Sequence, residues 1–294
     1  MNMKTVFLWI LLLVCLMPLA VLAQDNTTET DTQPGGATET EPQGEPSVVE
    51  QVQWQIGPGA GQLGELAEVD IPEGYVFAAG DDTRLLMEAM QNPVSGRELG
   101  FLAPDNLSWY LVFEYDETGH ILDAEKAELD SDALLASLKE ANDAGNEERK
   151  KRGWTLFQIA GWELPPQYNP TTQNLEWAIK GESEGQPVIN WNTRLLGREG
   201  VMEVTLVAGP DILNDVKPQY ETLIGGFDYK AGQKYAEYTK GDKVAEYGLA
   251  ALIAGGATAV AAKTGVLKYL WKILLVVGIA VVAFFRRIFS RKKE

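Results

Sequence analysis

The chain has 294 residues, 45% hydrophobic and 23% charged, the proportions of an ordinary globular protein rather than a disordered chain or a many-span transporter. A formal net charge of −17 leaves nothing to balance phosphate repulsion, which argues against a general nucleic-acid binder. One cysteine and one histidine exclude a disulfide framework, a zinc cluster and most triad chemistry, and no metal or cofactor is expected.

Residues 1–23 read as a secretory signal. Lys4 supplies the positive start, Val6 to Leu19 is almost unbroken apolar sequence, and Ala23 precedes polar Gln24 and Asp25 at a cleavage point. The alternative, an uncleaved N-terminal anchor, has a run that is short for a hydrocarbon core of about 30 Å. Cys15 lies inside the signal, so cleavage leaves a cysteine-free chain, suited to an oxidising compartment. Residues 24–50 carry hardly any apolar side chain and read as a disordered linker, with a glycosylation sequon at Asn26-Thr27-Thr28.

From Val52 the pattern turns to short strands. They are expected over 52–56, 66–71, 100–102 and 108–115, where Trp109, Leu111 and Phe113 alternate with Tyr110, Val112 and Glu114. Further strands are expected over 155–160, 175–180, 187–196 and 201–208. The last three are joined by glycine-containing turns, which suit an antiparallel meander. Helices are expected over 82–91, 131–152 and 216–223. The second starts behind Asp130 and Ser131 as caps, presents Leu134, Leu135, Leu138 and Ala141 on one face, and ends in basic residues before Gly153. Strands grouped with about three helices, without βαβ alternation, predict an α+β fold with an antiparallel sheet as the extracytoplasmic domain, 51–240.

Residues 241–265 form a small-residue juxtamembrane segment in which Gly248, Ala251, Gly255 and Ala259 line up for close helix packing and self-association. An alanine-rich core helix and a second membrane span are the other readings of this stretch. Residues 266–285 read as a transmembrane helix, with Lys268 and Lys272 snorkelling from its first turns and Tyr269 and Trp271 at belt depth. The tail, 286–294, holds five basic residues and belongs in the cytoplasm. Together these place the main domain in the periplasm on a single-pass inner-membrane anchor. With Lys4, Glu294 and the eight basic residues from Lys263 onward set aside, 24–262 keeps a net charge of −25, so it repels polyanions.

Chemistry-bearing motifs fail on context. Gly59-Ala60-Gly61-Gln62-Leu63-Gly64 has dinucleotide-fingerprint spacing but is followed by a strand-like segment rather than a helix. Gly181-Glu182-Ser183-Glu184-Gly185 has nucleophile-elbow spacing but lies between two strands, and His120 precedes it. His120 itself, after a turn, reads as structural. Glu114, Asp116 and Glu117, or Asp123 and Glu125, would serve as acid–base pairs if they shared a cleft. Trp109, Trp162, Trp177, Trp191 and Arg198 are candidates for an aromatic binding surface.

Several stretches, in this order, carry a resemblance: WYLVFEY with its turn (109–118), NEERKKRGW (146–154), GWELPPQY (161–168), LEWA (175–178), LGREG (196–200) and GDKVAEYGLAALIAGG (241–256). Together they resemble the bacterial predicted membrane-anchored proteins catalogued as domain of unknown function 2167, over roughly Gln53 to the C-terminus. The resemblance implies an exported, membrane-attached bacterial protein and brings no catalytic residue or cofactor with it. The expected function is a binding or assembly module whose partners are the membrane, another copy of itself or an envelope protein. Alternatives are a carboxylate-dependent envelope hydrolase and a pore formed by a helical hairpin over 247–285.

Overall fold

The computed structural model describes residues 47–122 and 129–254. The chain divides into two units, Met1–Gln51 and Val52–Glu294; of the first, a single helical turn, Val48–Gln51, is described.

The described residues from Gln55 onward are organised around one eight-stranded antiparallel sheet. Its strands are β1 (Gln55–Ile56), β4 (Tyr75–Ala79), β5 (Glu98–Pro104), β6 (Tyr110–Asp116), β10 (Val201–Ala208), β9 (Gln186–Leu196), β8 (Asn174–Ser183) and β7 (Phe157–Asn169), in that spatial order. The expected meander holds: β8, β9 and β10 are consecutive neighbours, and Glu184-Gly185, both at positive φ, make the tight turn between β8 and β9. A second, three-stranded sheet is built from β11 (Phe227–Tyr229), β3 (Ala67–Ile71) and β2 (Gly59–Leu63). The helices are α1 (Gly80–Ala89), α2 (Ser131–Arg152), α3 (Leu213–Gly225) and α4 (Leu249–Ile253).

Period-two alternation divides the large sheet's side chains between two cores. Leu111 and Phe113 of β6 and Met202, Val204 and Leu206 of β10 point into the first, closed by the small sheet and α3. Val201, Leu196 and Trp177 point into the second, closed by Leu134 of α2 and by Leu249, Leu252 and Ile253 of α4. Each such side chain contributes about 1.5–3 kcal/mol on burial.

The strands missing from the sequence reading have physical reasons. β2 is the stretch with dinucleotide-fingerprint spacing, and its glycines serve packing. The Phe77 ring fills the gap between the sheets, and a Cβ on Gly61 or Gly100 would come within 2.8 Å or 2.6 Å of it. β4 and β11 are too short and too mixed in composition to alternate visibly. β7 runs on through Pro165 and Pro166 because it is an edge strand, where a missing N–H costs no ladder bond, and three register shifts absorb the irregularity.

Among the described residues no helix is long and apolar enough to cross a membrane. The expected span, 266–285, the basic tail, the signal and most of the linker lie outside the described residues. The segment expected as a juxtamembrane helix is described to Ala254. There it is a short core helix: Gly248 caps α4, Ala251 is half-buried within it, and its leucines and isoleucine pack on the sheet. Gly255 and Ala259 lie outside the described residues.

Candidate functional site

On the second face, three neighbouring strands carry charge between apolar residues. β6 contributes Glu114 and Asp116, β10 contributes Glu203, and β9 contributes Arg194 and Asn192; register sets Glu203 beside both Glu114 and Arg194. Two acids directly opposite each other repel unless a cation intervenes. Arg97, at the entry to β5, does so: its guanidinium lies 3.9 Å from Glu114, 3.6 Å from Asp116 and 3.7 Å from Glu203. Arg194 pairs with Glu203 at 3.2 Å, and its guanidinium carbon stands 4.7 Å from the centre of the Trp177 ring.

Arg97 is held in place by its neighbour. The buried Glu98 carboxylate accepts hydrogen bonds from the Ser95 and Gly96 N–H groups at 2.5 and 2.9 Å and from the Ser95 hydroxyl at 2.9 Å. Burial raises the Glu98 carboxyl, but these donors outweigh it and leave it below its ordinary value. At Glu114 burial wins: its carboxyl is raised, with Glu203 adding to the shift and the Ser95 hydroxyl and Arg97 opposing it. The acids are thus neutralised by guanidinium groups, and among the described residues no group of three His, Cys, Asp or Glu is placed to hold a metal ion.

Above this charged floor opens a cleft of about 730 Å³. Leu138 and Ala141 of α2, Ile179 of β8 and Leu252 and Ile253 of α4 form an apolar lip, and Trp177, Asn192, Arg194 and Glu203 line the interior. Tyr247 closes one side, its hydroxyl donating to Asp116 at 3.1 Å.

The stretch from Lys230 to Tyr247 is strapped onto the same end of the sheet. Arg198 donates twice to Asp242, at 2.7 and 2.9 Å, and also to the Gly232 carbonyl and the Thr239 hydroxyl. His120, on the sheet side, is buried between the Tyr235 and Tyr238 rings, each 4.3 Å away, and its Nδ1–H donates to the Arg198 carbonyl at 3.2 Å.

The five residues expected to share a binding surface do not do so. Trp109 and Trp191 are buried on the first face, Trp109 edge-on to Tyr75. Trp162 and Trp177 belong to the second, where Trp162 donates to the Ser131 carbonyl at 3.2 Å. The reason is register: Trp177 pairs with Asn192 and Trp191 with Ala178, one position out of step and so on opposite faces. Only Trp177 reaches the cleft, and Arg198 is a clamp outside it. Of the acid pairs, Glu114 and Asp116 come together, while Asp123 and Glu125 lie outside the described residues. Arg97, Arg194, Glu203 and Tyr247 escaped sequence reading. The available signal was a charge at a strand position flanked by buried ones, as Arg194 is in WNTRLL and Glu203 in VMEVTLV.

The chain matches the family described as "Protein of unknown function (DUF2167)" over residues 55–286, well over half its length. It belongs to that family. None of the curated proteins matches it. Among solved structures, the solution structure of cyanobacterial PsbP (CyanoP) from Synechocystis sp. PCC 6803 is similar at 13% identity, covering 64% of this chain and 99% of that one, with a TM-score of 0.36.

Proposed function

We propose that this member of the family is a binding or assembly module of the bacterial envelope, held with its sheet domain in the periplasm by one inner-membrane helix at 266–285. The observation that carries the binding reading is the cleft, in which an apolar lip stands over charge that is already paired within the protein. Such a site gains from covering apolar surface, about 25 cal/mol per Å². A segment of another envelope protein is the partner that suits it. The anchored address rests on the signal at 1–23, the apolar run at 266–285 and the basic tail behind it.

The test is in-cell photo-crosslinking of the full-length chain with a photoreactive residue at Leu138, in the lip, or at exposed Gln62, on the small sheet. A defined adduct at 138 and not at 62 supports the cleft; no adduct, or equal adducts at both, removes it. A reporter fused after Glu294 is expected to be active only in the cytoplasm, and periplasmic activity would restore the hairpin pore. The second reading, a carboxylate-dependent hydrolase, is favoured by one observation, the Glu114 carboxyl, raised by burial, beside Asp116 and Glu203. It requires envelope-glycan or peptide turnover that Glu114→Gln abolishes.

A further inference from the structure

On the opposite face, a pocket of about 610 Å³ opens beside β8, β9 and α3, well within the range of small-ligand sites. Glu176 of β8 lines it, and among the described residues its carboxylate has neither hydrogen bond nor ion pair. Burial, followed by Glu221, raises that carboxyl, with Lys217 opposing. Asn174 lines the pocket with its side-chain amide likewise unused. Trp191, 5% exposed, completes that wall, and its indole N–H has no hydrogen-bond partner among the described residues. Phe227 lines the pocket as well, and Asp228 is neutralised by Lys234 at 2.7 Å.

Each simpler ligand class leaves something unpaired. An anion pairing with Lys217 would also meet Glu176, with Glu221 nearby. A cation would find its place over Trp191 already filled by the Lys217 ammonium, 4.9 Å from the ring centre. A purely apolar molecule would bury Glu176 and Asn174 without partners. A sugar ring serves both polar groups: its hydroxyls donate to the Glu176 carboxylate and accept from the Asn174 amide, while its C–H face covers half-buried Phe227. We propose that this pocket binds a neutral oligosaccharide, with Glu176 and Asn174 fixing its hydroxyls beside Phe227.

The test is titration calorimetry of the full-length chain in zwitterionic, sugar-free micelles with cellotetraose, chitotetraose and maltotetraose. Saturable binding of at least one is expected, weakened about tenfold or more by Glu176→Ala and by Asn174→Ala, and little changed when salt rises from about 0.05 to about 0.5 M. Unfolding midpoints measured alongside show whether each variant is folded, and the isosteric Glu176→Gln gives a second reading of the carboxylate. No heat with any of the three sugars, binding unaffected by the folded variants, or binding abolished by salt each overturns the proposal. The crosslink at Leu138 belongs to the other face and is expected to persist in these variants, so the two readings fail separately.

Discussion

Arg194 and Glu203 show how much a single pair can matter when it is taken out of water. Arg194 is 8% exposed, and removing its charge leaves the half-buried Glu203 with only the more distant Arg97. Arg194→Met is therefore expected to cost about 3 kcal/mol or more in urea unfolding. The double variant Arg194→Met with Glu203→Leu should recover most of that loss, because the stranded charge disappears with its partner. Glu114 provides a pH signature. Its folded carboxyl is raised by burial, so folding takes up a proton between the ordinary carboxylate value and the raised one. Stability then falls as pH rises through that window, and Glu114→Gln should flatten the slope in urea unfolding measured across it.

At the scale of elements, α2 does more than cover apolar surface. Asp130 caps it, accepting from the N–H groups of Asp132 and Ala133 at 3.1 and 3.0 Å, and its first half buries Leu134. Its second half is polar and seals the free edge of β7. The Asn146 amide donates to the Phe157 carbonyl at 2.7 Å and accepts its N–H at 3.0 Å, as a neighbouring strand would, while Asn142 and Lys139 donate to the Phe157 and Ala160 carbonyls. An open edge invites pairing with another chain. Asn146→Ala should cost about 1–3 kcal/mol, speed hydrogen exchange at the Phe157 amide and raise aggregation on concentration. The helix boundaries were legible, because Asp130, the leucines and the terminal basic run all signal locally. Its role was not: Asn142 and Asn146 look like solvent-facing residues until β7 lies beside them, and Ala141, expected on the apolar face, is exposed at the cleft lip. The β8–β10 meander was legible from alternation and turns. Which tryptophan faces which core depended on a one-residue register offset that turns and composition do not encode.

Across the whole molecule, the strap from Lys230 to Tyr247 joins the sheet to α4, the last described element before the C-terminal segment. Its clamp is Arg198 on Asp242, which holds that carboxyl well below the usual range, first through the hydrogen bond itself and then through the Thr239 N–H. A depressed carboxyl contributes stability above its ordinary value and loses it as pH falls toward the folded one. Asp242→Asn is thus expected to speed proteolysis within 230–247 at neutral pH, and in urea unfolding its deficit should vanish at strongly acid pH.

The Phe77 ring joins the two sheets, and its fit between Gly61 and Gly100 binds three distant positions into one unit of sequence drift. Either glycine can gain a methyl group only after the ring has shrunk. Gly61→Ala should be disruptive in the native background and tolerated beside Phe77→Leu. In lineages that lose the aromatic, Gly61 is the position free to vary, while Gly100 stays held by the Leu63 side chain, 2.7 Å from where its Cβ would be.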